Sequence, residues 1–196
     1  LSNSAPIHLA IFASGGGSNA RALLQYFARH ARIQVALLVT NNPRSGIWQL
    51  AETYGLPAHL LTPAQCRDGA FLLRLMQQHH IELIALAGYL KMIPPALIQA
   101  FPKRILNIHP ALLPRYGGKG MYGIHIHRAV IEAGESHSGL TIHYVNEAYD
   151  EGEIIFQLRL PIPPGCTPEQ LQQLILEQEH RHYPQIVEKV GMAIPS

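Results

Sequence analysis

Ile7-His-Leu-Ala-Ile-Phe-Ala-Ser-Gly-Gly-Gly-Ser-Asn19 decides the fold. Its first half is a short, mostly apolar run without the alternation of a half-solvated strand, so it reads as a parallel strand buried on both faces. The run stops at Ser14-Gly15-Gly16-Gly17, a tight turn, and Ser18 and Asn19 are residue types that open helices. Buried strand, glycine turn and helix in that order form the first unit of an α/β fold.

Working outward, the unit repeats. A helix is expected from Ser18 to about Arg29, with Ala22, Leu23, Tyr26 and Phe27 on its apolar face. Gln34–Thr40 is the second strand, closed by Asn41-Asn42-Pro43. A helix over roughly 46–54 ends at Gly55, with Pro57 beyond it. Ala58–Leu61 is a short strand, and Thr62-Pro63 is expected to cap a helix running to about His79. Ile81–Ala87 is another buried strand, ending at Gly88; a short helix follows Pro94-Pro95, and Arg104–Ile108 is the next strand. The alternation predicts a doubly wound, mostly parallel, Rossmann-like sheet with right-handed crossovers. Gly139–Val145 and Glu153–Leu160 read as strands joined by an acidic turn, so one is expected to run antiparallel. A last helix is expected from Thr167-Pro168 to about Tyr183. Without linker, repeat or low-complexity segment, residues 1–196 read as one domain.

Composition narrows the function classes. A chain of this length buries roughly 70% of its unfolded surface and needs no disulfide or metal to hold it together. Charged residues make up only 14%, with a net charge of +2 and no run or stripe of Lys and Arg, which argues against nucleic acid as a partner. Cys66 and Cys166 form no C-x-x-C and read as reduced thiols, which places the protein in the cytoplasm. The segment Leu1–Pro6 has no basic n-region, so no leader is expected, and no apolar run reaches the roughly 20 residues that cross a bilayer.

Ligands of open α/β sheets sit beyond the carboxyl ends of the strands, at the point where strand order reverses. Three strand ends carry glycine or polar residues there: Ser14–Asn19, Gly88–Ile93 and Asn107–Pro110. In the first, glycines bring backbone N–H groups close to an anion at a helix N-terminus. Gly15-x-Gly17-x-x-Ala20 fits the alanine-ended dinucleotide pattern, but the acid that should follow about 20 residues on is missing, since the second strand ends in Thr40-Asn41-Asn42. The loop then reads as a monophosphate cradle or as a structural strand–helix turn. In Asn107-Ile-His109-Pro-Ala-Leu-Leu-Pro114, Asn107 and His109 project to one side of a strand, a carboxamide beside an imidazole. Such a pair suits oxyanion stabilisation and proton transfer, or is simply structural. In Asn146-Glu147-Ala148-Tyr149-Asp150-Glu151-Gly152, a carboxylate packed beside His109 would raise the imidazole pKa, whereas a solvated turn would do nothing of the kind.

Twelve histidines invite a metal reading. On a helix, however, His125 and His127 would point about 200° apart, and the i, i+4 spacing of helical zinc pairs is missing, so no metal is expected. A serine hydrolase lacks its G-x-S-x-G elbow.

Taken in order, the Ser14–Asn19 loop, Asn107-Ile-His109-Pro-x-Leu-Leu-Pro114, Asp150 in its turn and Gln178-Glu179-His180 resemble the glycinamide ribonucleotide formyltransferases, folate-dependent enzymes of purine synthesis. The resemblance runs from Ile7 to about Val187. It implies that Gly17, Ser18 and Asn19 cradle the phosphate of 5-phosphoribosylglycinamide, and that Leu176, Glu177, Gln178 and Glu179 hold its sugar and glycinamide. It implies a catalytic trio of Asn107, His109 and Asp150. Leu90, Lys91, Met92 and Ile93, with Asn146, Glu147, Ala148, Tyr149 and Asp150, would wall the pocket of 10-formyltetrahydrofolate, the cosubstrate, which Asn107 also touches. Arg67 would meet the folate tail. The chemistry implied is direct attack of the amine on the formyl carbon: protonated His109 and the Asn107 amide hold the oxyanion, and Asp150 keeps His109 charged.

Two features depart from the family pattern. Between Pro114 and His125 the link Arg115–Ile124 is longer than usual, and it is read as a mobile lid or an ordinary surface loop. A functional histidine is expected just after it, His125 in preference to His127. Thr141 stands where Ser is usual and keeps the hydroxyl. The resemblance leaves a monomer or a homodimer open. Related alternatives are methionyl-tRNA formyltransferase, formyltetrahydrofolate deformylase and a non-catalytic nucleotide-binding module. The first is disfavoured because the chain has no room for a nucleic-acid-binding domain, the second because it lacks a regulatory one.

Overall fold

The computed structural model describes residues 5–195, so Leu1–Ser4 of the segment read for a leader lies outside the described residues. Seven strands form one sheet in the order β3-β2-β1-β4-β5-β6-β7. They are β1 (Ile7–Phe12), β2 (Ile33–Thr40), β3 (Ala58–Leu60), β4 (Ile81–Leu86), β5 (Ile105–His109), β6 (His137–Tyr144) and β7 (Ile154–Pro161). The helices are α1 (Ser18–Phe27), α2 (Ile47–Tyr54), α3 (Gly69–Gln78), α4 (Pro95–Ala100), α5 (Ile124–Glu132) and α6 (Pro168–Met192). β1 to β5 pair in parallel, whereas β6 is antiparallel to both β5 and β7. One strand is therefore reversed, as the sequence led us to expect.

The inner strands of the sheet are buried on both faces because they are apolar on both, whereas the edge strands β3 and β7 are partly exposed. In β1, Leu9 and Ile11 pack with α1 and α6 residues such as Leu23 and Val187, while Ala10 and Phe12 pack with Leu72 and Leu97 of α3 and α4. Strand order reverses beside β1, whose neighbours are β2 and β4, so the crevice opens beyond the carboxyl ends of β1, β4 and β5. Among the described residues, no helix is long and apolar enough to cross a membrane.

Several boundaries differ from the expectation. The core face of α1 is Ala20, Leu23, Leu24 and Phe27, whereas Tyr26 is exposed and bonds Glu188. Thr62 does not cap α3; a 3-10 turn (Gln65–Arg67) intervenes, and the Asp68 carboxylate caps α3 by accepting from the Phe71 N–H at 2.9 Å. α5 follows the long link directly and starts after Gly123 with no side chain capping it, so no local start signal announces it. α6 does not stop before Pro184 but runs on to Met192. Proline there forfeits one helical bond, typically a cost of about 3 kcal/mol. Burial of Val187, Val190 and Gly191 against the sheet offsets it. Gly191 lets the helix pack closely there, since a Cβ would meet Ile33 Cδ1 at 2.7 Å and that side chain would have to shift.

Candidate active site

The glycine loop is held rigidly by residues outside its own motif. The Ser14 hydroxyl donates to Asn41 Oδ1 at 2.5 Å and accepts from the Leu90 N–H at 2.9 Å, tying the ends of β1, β2 and β4 together. Asn42 Nδ2 donates to the Ser14 carbonyl at 2.8 Å; Ser45 Oγ and the Gly46 N–H both donate to the Gly15 carbonyl, at 2.9 and 3.0 Å. Gly17 adopts φ 78°, a left-handed conformation that favours glycine, and starts α1 with no side chain capping its N-terminus. That end keeps its partial positive charge for an anion.

Glu179 of α6 closes the far side of this loop. Tyr183, one turn later on the same helix face, is fully buried, with its hydroxyl 2.9 Å from the Leu86 carbonyl and 3.1 Å from that of Leu106. This pins α6 across the last residue of β4 and the start of β5 at Leu106. Glu179 is 5% exposed and accepts from Asn19 Nδ2 at 2.8 Å. Burial pushes its carboxyl up to about 7, against the opposing bond from Asn19.

The strand-end pair is assembled as the sequence suggested. His109 Nδ1 lies 3.5 Å from Asp150 Oδ2, and Asn107 Nδ2 lies 3.4 Å from Asp150 Oδ1. Asp150 itself sits at φ 57°, a left-handed conformation that Asp tolerates better than most residues. Burial acts to raise its carboxyl, but the side chains of His143 and His109 and the Gly118 N–H, which donates to Oδ2 at 3.0 Å, bring it below the usual carboxylate value.

One electrostatic expectation is corrected. Burial lowers the His109 pKa, and this outweighs the raising effects of the Asp150 carboxylate and the Tyr116 carbonyl. The imidazole, 4% exposed, is thus held below its ordinary value rather than above it.

Three further residues complete the site, and sequence reasoning gave them no role in this network. His143 of β6 is 2% exposed; its Nδ1 lies 2.8 Å from the Tyr144 carbonyl and its Nε2 3.1 Å from Asn107 Nδ2. Nδ1–H therefore donates and Nε2 accepts, which fixes the Asn107 amide beside Asp150. The Thr141 hydroxyl donates to the Ala111 carbonyl at 2.7 Å and accepts from the Leu113 N–H and Gln157 Nε2, anchoring the rigid Asn107–Pro114 segment to β6. Tyr116 places its carbonyl 2.7 Å from His109 Nε2. His143 and Thr141 could have been found from register, since β6 pairs Asn107 with His143 and His109 with Thr141.

Asn107, His109, Asp150 and Glu179 line a cleft of about 450 Å³, with Leu90 and the Gly118–Gly123 stretch also in its lining. A recess beside it is lined by Lys91, Met92, Ile93, Asn107, Asn146, Ala148, Tyr149 and Asp150. Beyond that lies a groove of about 370 Å³ lined by Arg67, Lys91, Met92 and Tyr149. Glu147 is exposed and lines none of these. Leu176, Glu177 and Gln178 also lie off the cleft, and Glu177 bonds Gln173. His125 is exposed against the Tyr122 ring; His127 is the buried one, pushed to about 4 by burial and by His109. Among the described residues, no group of three or more His, Cys, Asp or Glu could hold a metal ion.

The formyl transferase family matches residues 7–187. The chain is 45% identical over 185 residues to the chloroplastic phosphoribosylglycinamide formyltransferase of Arabidopsis thaliana, covering 91% of this chain but 63% of that protein. It therefore spans just under two thirds of the plant relative's length. To the phosphoribosylglycinamide formyltransferase of Bacillus subtilis it is 36% identical over 186 residues, covering 92% of this chain and 93% of that protein. The crystal structure of glycinamide ribonucleotide transformylase 1 from Symbiobacterium toebii superposes with a TM-score of 0.86 at 31% identity, over 97% of this chain and 91% of that one. The fold, the assembled strand-end pair and these likenesses agree: the chain belongs to the formyl transferase family, in the branch of the phosphoribosylglycinamide formyltransferases.

Proposed function

We propose that this chain transfers the formyl group of 10-formyltetrahydrofolate to the amine of 5-phosphoribosylglycinamide by direct acyl transfer, the formylation of purine synthesis. The observation that carries the reading is the meeting of Asn107, His109 and Asp150 at one wall of the cleft that Glu179 also lines. The backbone of Lys91, Met92 and Ile93 pairs with no other backbone group among the described residues, which suits donors and acceptors of a heteroaromatic ring. Arg67 and Lys91, in no ion pair among the described residues, suit an anionic tail in the groove beyond. The folate would supply an activated formyl carbon. The glycine loop would hold the phosphate and Glu179 the sugar and glycinamide.

His109 starts neutral in this reading, because burial disfavours its charged form. As the amine adds to the formyl carbon it gives up a proton, which His109 takes up, and Asp150 at 3.5 Å stabilises the imidazolium when it forms. The same proton then passes to the departing folate nitrogen as the C–N bond to the folate breaks. The Asn107 amide, now shared between His143 and Asp150, would turn one hydrogen to the oxyanion by releasing its longer contact, that to Asp150. The Gly118–Gly123 stretch in the cleft lining would act as a lid that excludes water. Cys66 and Cys166 are free thiols, which suits the cytoplasm, and we propose a monomer or homodimer with no nucleic-acid or membrane partner. The test is an assay with both substrates. Tetrahydrofolate should accumulate only when the amine is present; its release together with formate in the absence of amine would instead make the chain a deformylase.

A further inference from the structure

The geometry points to Tyr116 as a positioning residue: its backbone carbonyl sets the tautomer of His109, so that Nδ1 is the nitrogen that exchanges its proton beside Asp150. The inference rests on the formyl-transfer reading above for its kinetic consequence, and on geometry alone for the tautomer.

A carbonyl oxygen only accepts. The 2.7 Å contact between His109 Nε2 and the Tyr116 carbonyl therefore requires a hydrogen on Nε2. Asp150 Oδ2, which faces Nδ1, is an acceptor too, but at 3.5 Å against 2.7 Å. In the neutral ring the hydrogen therefore stays on Nε2, against the nearer acceptor, and Nδ1 carries the lone pair. A proton gained at Nδ1 lands against the carboxylate and turns that contact into a charged hydrogen bond. With the opposite tautomer, the hydrogen would already lie on Nδ1, and Nε2 would face a carbonyl with no proton between them.

Tyr116 is held for this task from outside the cleft. Its φ is 58°, a left-handed conformation that costs a non-glycine residue and persists only where surrounding contacts enforce it. Those contacts are present. The hydroxyl donates to Glu135 Oε1 at 2.8 Å, the same oxygen bonds Arg115 Nη2, and the Arg115 guanidinium lies 5.4 Å from the Tyr116 ring centroid. Glu135 lies beyond the C-terminus of α5 and lines a separate hollow with Arg115, Tyr116 and Arg159. It acts on the imidazole only through the Tyr116 backbone. The other titratable groups facing His109 are Asp150, His143 and, from α5, His127.

The test is a long-range proton–nitrogen NMR spectrum of full-length protein with ¹⁵N-labelled histidine, at about pH 8, above the ordinary imidazole pKa. Wild type should show His109 protonated at Nε2 and bare at Nδ1. Tyr116→Phe and Glu135→Ala loosen the clamp and should give a mixture of tautomers, whereas Glu135→Gln keeps an acceptor for the hydroxyl and should retain the wild-type pattern. In the transfer assay, Tyr116→Phe should lower kcat about tenfold and displace the acid limb of the pH profile, with KM changed no more than about twofold. A wild-type His109 protonated at Nδ1 would overturn the inference. So would a Tyr116→Phe variant with unchanged tautomer and unchanged pH profile. If Glu135→Ala fails to fold, the wild-type and Tyr116→Phe spectra still decide. Failure of the formyl-transfer reading looks different: wild type without transfer activity, the tautomer pattern intact.

Discussion

Asp150 meets His109 at 3.5 Å although the two arise from different elements, His109 from the last position of β5 and Asp150 from the turn between β6 and β7. The carboxylate is the main influence raising an imidazole that burial otherwise lowers. Asp150→Asn removes that influence, so the His109 pKa should fall further and the acid limb of the kcat profile should move to lower pH. Turnover should drop by about 10² or more while the melting temperature stays near wild type, as expected for loss of a proton-transfer partner. A pH–rate series alongside thermal melts checks both parts; activity within a few-fold of wild type would remove Asp150 from the chemistry.

Glu179 gives the second prediction. Its folded pKa of about 7 lies above the roughly 4.3 of an unfolded Glu, so its contribution to stability is complete below about pH 4 and lost as pH rises through 7. The full span corresponds to about 3–4 kcal/mol. Glu179→Gln keeps a carbonyl oxygen for Asn19 but cannot ionise, so it should be flat across that window and more stable than wild type above pH 7. Urea denaturation from about pH 4 to 8 measures the difference, and parallel curves would show that Glu179 ionises without penalty.

Gly46 gives the third. A Cβ there would lie 2.1 Å from the Gly16 carbonyl oxygen, so alanine must push the glycine loop away. Gly46→Ala should destabilise the fold by about 1–3 kcal/mol and raise KM for the phosphorylated substrate more than it lowers kcat. If KM for the folate rose instead, the loop would not be the phosphate cradle.

The long link gives the fourth. Deleting Gly118–Met121 removes the N–H that bonds Asp150 and part of the cleft lining. A lid predicts worse kcat or KM with little change in thermal stability. Unchanged kinetics would make the segment an ordinary surface loop.

Much of this was legible in the sequence, for identifiable reasons. Mostly apolar runs such as Ile81–Leu86, punctuated by glycine, specify a parallel sheet buried on both faces, and the polar residues at the ends of β1, β4 and β5 mark its crevice. What stayed hidden depends on long-range register and packing. His143 looks like any strand histidine until antiparallel pairing sets it opposite Asn107. The sign of the His109 shift could not be read either, because a carboxylate partner is visible in sequence and the depth of burial is not. Pro184 signals a helix end locally, and only the packing of Val187 and Val190 on the sheet overrides it.

The central claim is tested most directly by following one carbon. Wild-type protein is mixed with 10-formyltetrahydrofolate carrying ¹³C in its formyl group and with 5-phosphoribosylglycinamide, and the products are weighed by mass spectrometry. The account predicts that the label appears on the glycinamide nitrogen, one formyl for each tetrahydrofolate released, and that Asp150→Asn slows this transfer by about 10² or more. Label recovered as formate, or left on the folate while the amine goes unmodified, would contradict it.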